Sequence, residues 1–223
     1  YSWNQPVGKN PAERHIEWVS KLDGMWGFSL WDPKAKELIL CRDPFGIKPL
    51  VRTQLSDGTL LFASEVKAFR GHTGFSAKPD ISALSVRLAY EYPLDQTTLF
   101  QGVTSVGIGT IETWSLVDGK ATLTGVAKYW KPRVIPSENW SPSTNASQLL
   151  NSLSDSIQDR LMADVPVGIV LSGGLDSSLM AALANDAADS AGKPTPECWT
   201  VADSEENVDL QASIMVTKNH DLG

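Results

Sequence analysis

The chain has 223 residues, is 42% hydrophobic and 20% charged, and carries a net charge of −7 with a pI near 4.9. That composition can bury a core, which excludes disorder as the starting expectation. An acidic chain suits neither nucleic acid nor an anionic membrane, and no apolar stretch reaches the length of a span, so a cytoplasmic, soluble enzyme is the expected class.

From Trp18 to about Trp130 the pattern predicts short strands separated by turn residues. Residues 24–31 form an apolar run that ends at Asp32-Pro33, and 37–42 form a second run that ends at Asp43-Pro44-Phe45-Gly46. Asp57-Gly58 lies between the runs 50–55 and 59–63, and Asp118-Gly119 lies between 111–117 and 120–124. Both dipeptides are hairpin signals, so this half is expected to hold antiparallel sheets. Helical interludes are expected over 65–70 and 80–91.

Residues 131–145 carry Pro, Ser, Asn and Thr in a connector composition. Leu149, Leu153, Ile157 and Leu161 then recur every four residues, the stripe of an amphipathic helix started by Ser143, Thr144 or Asn145. After Pro166, residues 167–171 read as a fully buried strand, 177–185 as a helix, 197–201 as the next strand and 208–217 as the next helix. Alternation of this kind predicts a parallel sheet.

Cys41 and Cys198 form no spaced pair and each lies in an apolar run, so both are expected to be buried thiols. The histidines His15, His72 and His220 show no metal-ligand spacing.

The sharpest motif is Ser172-Gly173-Gly174-Leu175-Asp176-Ser177-Ser178, between a strand and a helix. Backbone N–H groups and the dipole at such a helix start favour an anion. Gly173 and Gly174 lack a Cβ and let the backbone approach a phosphate, while the serine hydroxyls add donors. Asp176 would repel a bare phosphate unless Mg²⁺ sits between them. An ordinary glycine turn with a helix cap remains the alternative, which the flanking strand and helix disfavour. No Walker loop and no complete dinucleotide fingerprint occurs.

This loop resembles the pyrophosphate loop of the PP-loop ATP pyrophosphatase ligases. Its context, Asp159-Arg-Leu-Met-Ala-Asp-Val-Pro-Val-Gly-Ile-Val-Leu171, is similar to the asparagine synthetase family. Leu22-Asp-Gly-Met-Trp-Gly-Phe28, Arg42-Asp-Pro-Phe-Gly-Ile-Lys-Pro49 and Phe62-Ala-Ser-Glu-Val-Lys-Ala68 resemble that family's N-terminal-nucleophile glutaminase domain. The resemblance implies a mixed fold, α/β together with α+β. An antiparallel glutamine amidotransferase domain, incomplete, is expected over 1–134. A parallel-sheet PP-loop synthetase domain, also incomplete, is expected over 145–223.

The same resemblance implies that glutamine supplies ammonia, that ATP activates aspartate as an acyl-adenylate with pyrophosphate released, and that ammonia then forms the amide. Glutamine, aspartate and ATP with Mg²⁺ are the expected small molecules, and a homodimer is one assembly the resemblance allows. Asp23 corresponds to the acid that holds the α-amino group of glutamine, the alternative being a turn aspartate before Gly24. Ser172, Gly173, Gly174, Asp176, Ser177 and Ser178 correspond to the ATP loop, with Asp176 also the metal ligand. Leu171 and Val201 correspond to backbone contacts near adenine and ribose, with core packing as the alternative for both. Arg42, Asp43 and Gly46 are expected to shape a turn only. Relative to the family pattern, the N-terminal cysteine is missing before Tyr1 and the synthetase domain stops at Gly223, so the chain is expected to be a partial sequence, inert alone. A related ligase with another acceptor, such as a β-lactam synthetase, or a non-catalytic nucleotide-binding relative remain alternatives.

Overall fold

A computed structural model of the protein describes residues 10–132 and 141–220. The expected chain start at Tyr1, most of the connector (133–140) and the last residues, 221–223, lie outside the described residues. Two compact units are present, one within Tyr1–Val134 and one within Ile135–Gly223.

The first unit opens on a 3₁₀ turn, Pro11–His15, that runs into α1 (Ile16–Val19). The strand pattern read from Trp18 onward is corrected here, because Trp18 is helical and the first strand starts at Gly27. Asn10 accepts a hydrogen bond from the Ala12 N–H, and Pro11 occupies a first-turn position where its fixed φ and missing donor cost little. Ala12, His15 and Val19 then bury one face.

The strands β1 (Gly27–Asp32), β2 (Glu37–Arg42), β3 (Val51–Gln54) and β4 (Leu60–Ala63) follow. A 3₁₀ segment (Val66–Gly71) and α2 (Ile81–Tyr90) occupy the two expected helical interludes. Asp80 caps α2 by accepting from the Ala83 N–H, and Glu91 ends it in a left-handed conformation. The unit closes with β5 (Thr104–Ser105), β6 (Thr110–Val117) and β7 (Lys120–Lys128). All pairings are antiparallel, in one sheet ordered β1-β2-β6-β7 and another ordered β4-β3-β5.

The two Asp-Gly hairpins differ in geometry. Asp118 and Gly119 both have positive φ, 50° and 76°, and form a two-residue turn whose twist matches its strands. At the other hairpin only Gly58 is left-handed (φ 90°), and the Leu55 N–H donates to the Thr59 carbonyl across a three-residue loop. β7 runs to Lys128, beyond the expected end, past a register shift at Thr113/Trp114. Small residues and Gly125 in β7 blur the alternation that would have revealed it.

Side chains of β2 alternate between two covered faces. Ile39 and Cys41 pack with Ile111, Ala127, Ala12 and Val19, while Leu40 packs with Leu50, Val106 and Trp114. Between the sheets Arg52 of β3 donates through Nε and Nη2 to Glu112 of β6, at 2.5 and 3.0 Å. The indole N–H of Trp114 donates to the same carboxylate, and the Arg52 guanidinium lies 5.1 Å from the Trp114 ring centroid.

The second unit runs α3 (Pro142–Arg160), β8 (Gly168–Val170), α4 (Leu175–Ser190), β9 (Glu197–Trp199) and α5 (Val208–His220). α3 begins earlier than expected, with Ser141 extended at the cap and Pro142 in the first turn. Only the later part of its leucine stripe is buried: Ile157 and Leu161 join Ala184, Ala187 and Ala188 of α4, whereas Leu149 and Leu150 are exposed. β8 and β9 are parallel, as the alternation predicts, in register Gly168↔Glu197, Ile169↔Cys198 and Val170↔Trp199.

The fully buried strand expected over 167–171 is corrected. Ile169 packs toward α3 and α4, but Val170 and Trp199 face outward, 78% and 62% exposed. Among the described residues the helices cover one face of this sheet, so alternate side chains meet solvent. Cys198 is accordingly half-buried, while Cys41 is fully buried.

Candidate functional site

β8 delivers the chain to Leu171, whose backbone is tied to the neighbouring strand at both of its polar groups. The Leu171 N–H donates to the Trp199 carbonyl at 2.8 Å, and the Thr200 hydroxyl donates to the Leu171 carbonyl at 2.6 Å. The loop then turns outward. Ser177 Oγ donates to the Gly174 carbonyl at 3.2 Å and lies 3.0 Å from Ser172 Oγ. Either hydroxyl can donate in that serine pair.

The two glycines are not equivalent. Gly173 has φ +73°, a region other residues avoid, and a Cβ there would lie 2.6 Å from Ser213 N in α5. Gly174 has ordinary extended angles (φ −70°, ψ 164°), and a Cβ there would meet nothing nearer than Ser172 Oγ at 3.5 Å. Gly173 therefore lets the loop seat against α5, whereas Gly174 leaves an open surface over the start of α4.

That surface has the properties an anion requires. The first helical bond of α4 runs from the Ser178 N–H to the Gly174 carbonyl, so the amides of Leu175, Asp176 and Ser177 precede the helix's own ladder. Ser178 Oγ is buried without a hydrogen-bond partner among the described residues. Asp176 lies in the first turn and is exposed. Among the described residues no three His, Cys, Asp or Glu side chains cluster to hold a cation. A magnesium ion at Asp176 would share its shell with phosphate oxygens, the usual arrangement for that ion. The residues present fit a magnesium–polyphosphate group.

The remaining expected positions divide between the units. Leu171 is 1% exposed, so its side chain is core as the packing alternative holds, and one carbonyl lone pair is all its backbone has to offer. Val201 is 91% exposed at the same end of the strands. Asp23, in the first unit, is exposed between α1 and β1. Asp43 does hold a turn: its carboxylate accepts from the amides of Phe45, Ile47 and Lys48 at 2.9–3.0 Å. Burial pushes the Cys41 thiol up to about 12, which leaves it unsuited to nucleophilic attack.

The Thr200–Leu171 bond was not anticipated. A hydroxyl residue one position past a strand is too common a pattern to signal it.

A glutamine amidotransferase domain family matches residues 12–130, and an asparagine synthase family matches 148–208. Glutamine-hydrolysing asparagine synthetase 3 of Bacillus subtilis is 30% identical over 206 residues, covering 89% of this chain and 32% of the relative. A Mycobacterium tuberculosis protein provisionally named a glutamine-hydrolysing asparagine synthetase is 34% identical over 173 residues, or 75% of this chain and 26% of the relative. A Gibberella zeae protein named amidase chry2 is 32% identical over 171 residues, or 75% and 24%. The chain thus spans about a third or less of the length of these curated relatives.

Proposed function

Because the chain belongs to the asparagine synthetase family and carries its glutamine amidotransferase domain, we propose that the protein converts aspartate to asparagine with ammonia from glutamine, at the expense of ATP. In this reading residues 1–134 belong to the glutaminase domain and 145–223 to a PP-loop synthetase domain of a cytoplasmic enzyme. Asp23 pairs with the α-ammonium of glutamine. The 172–178 loop would hold the β- and γ-phosphates of ATP, Asp176 would hold the Mg²⁺ that offsets their charge, and Leu171 and Val201 would border the nucleoside.

The chemistry follows from the poor electrophilicity of a carboxylate. A side-chain oxygen of aspartate attacks the α-phosphorus of ATP, and pyrophosphate leaves with the electron pair of the broken P–O bond. Ammonia then attacks the acyl carbon, and AMP departs as a far better leaving group than oxide. Preorganised amides at the start of α4 stabilise the charge that builds on the departing pyrophosphate.

The observation that carries this reading is the open surface over Gly174, with the free first-turn amides beneath it and Asp176 exposed beside it. Its test is Asp176→Asn in the complete protein. Magnesium-dependent pyrophosphate release with ATP and aspartate should fall by orders of magnitude while glutamine hydrolysis persists. Release near the wild-type rate would reduce the loop to a helix cap. A related ligase with another acceptor is the second reading, favoured by the similarity to a protein named an amidase. Substrate competition between aspartate and other carboxylic acids in the same assay separates the two.

A further inference from the structure

We propose that Thr200 is a positioning residue that sets how the 172–178 loop leaves the sheet, and hence how its amides meet the phosphates. This rests on the reading of that loop as the ATP site.

The β8–β9 ladder ends at Val170↔Trp199, so the Leu171 carbonyl lies just past the last ladder pair. Its acceptor is filled by a side chain: Thr200 Oγ1 donates to it at 2.6 Å, while the Leu171 N–H goes to the Trp199 carbonyl. Anchoring that carbonyl fixes the orientation of the peptide plane that also carries the Ser172 N–H. Two residues later Gly173 is pressed against α5. The loop is therefore held at Leu171 from β9 and at Gly173 from α5, and what remains exposed to face a ligand is Ser172 and the residues from Gly174 onward. Thr200 is half-buried, and its β-branch restricts χ1, so the hydroxyl is held in place before any ligand arrives. The adjoining Val201 is exposed at the same end of the strands. Thr200 itself need touch neither nucleotide nor metal.

The experiment compares Thr200→Val, which keeps the shape and removes the donor, with Thr200→Ser, which keeps the donor, in the complete protein. MgATP binding is measured by calorimetry, amide exchange of 172–174 by mass spectrometry, and KM for ATP and for glutamine by kinetics. Thr200→Val should weaken MgATP about tenfold, the scale of one hydrogen bond, raise KM for ATP but not for glutamine, and speed exchange in the loop. Thr200→Ser should stay within about twofold of wild type. Thr200→Ala, should the valine variant not fold, must show the same weakening. A merely structural role would lower the folded fraction and leave the affinity of the folded protein unchanged. Wild-type affinity in Thr200→Val, or no rescue in Thr200→Ser, overturns the proposal while leaving the loop assignment intact. Failure of the wild-type protein to bind MgATP overturns both.

Discussion

Gly173 and Ala212 are in such close register that a Cβ on the glycine would lie 2.6 Å from the Ala212 carbonyl carbon. Nothing at Gly174 imposes a comparable limit. Gly173→Ala should therefore destabilise the second unit by about 2–4 kcal/mol, from left-handed strain plus overpacking. Gly174→Ala should change stability by less than about 0.5 kcal/mol, yet weaken MgATP, because its Cβ would occupy the open surface. Urea unfolding and nucleotide binding on both variants check this; equal behaviour of the two would show that the glycines share one role.

Asp23 offers an exposed carboxylate with no protein partner among the described residues. Asp23→Ala should raise KM for glutamine by the equivalent of about 1.5–3 kcal/mol, the worth of a charge-assisted hydrogen bond. Synthesis driven by added ammonia bypasses that contact and should be nearly unaffected, and the melting temperature should not move. Equal losses with glutamine and ammonia would make Asp23 a structural residue.

Glu112 is buried with its side chain 3% exposed, and it receives Arg52 from the other sheet and the indole of Trp114. Glu112→Ala strands a mostly buried guanidinium, so unfolding free energy should drop by about 3–5 kcal/mol. Replacing the pair together, Arg52→Met with Glu112→Leu, should recover most of that. A single-variant loss under about 1 kcal/mol would mean water already compensates the charges.

Acid should loosen the first unit through Asp43. Burial raises the pKa of this carboxyl, but the amides of Lys48, Ile47, Phe45 and Gly46 outweigh it and hold the folded value below the ordinary one. A depressed folded pKa contributes stability that is fully present above the unfolded value, about 3.9 for aspartate, and lost as pH falls through the folded value. Asp43→Asn should lower stability at neutral pH and flatten the acid limb of the stability–pH curve. An acid limb identical in slope to wild type would place the titration on other carboxylates.

The elements that local chemistry determines were legible in the sequence. Asp-Gly dipeptides locate two hairpins, Asp80 starts α2, and Asp43 shapes its turn, because each acts within a few residues of itself. Family motifs likewise locate the candidate loop, since they depend on residue order alone. What escaped sequence reading depends on partners distant along the chain. Trp18 reads as strand by its apolar neighbours until Asn10 and Pro11 start a helical segment that packs on β6 and β7. Val170 reads as buried until the helices prove to cover only one face of its sheet among the described residues.

The sequence alone determined that a glycine-rich loop with one aspartate joins a strand to a helix, the pattern on which the proposed magnesium–polyphosphate site rests. Only the tertiary structure decided which residues hold the loop and which present it. Gly173 and Gly174 are identical and adjacent on paper, and a threonine 29 positions beyond Leu171 carries no local sign of its bond. Packing against α5 and the parallel pairing of β8 with β9 separate their roles, since steric contact and hydrogen bonding act through space and take no account of distance along the chain.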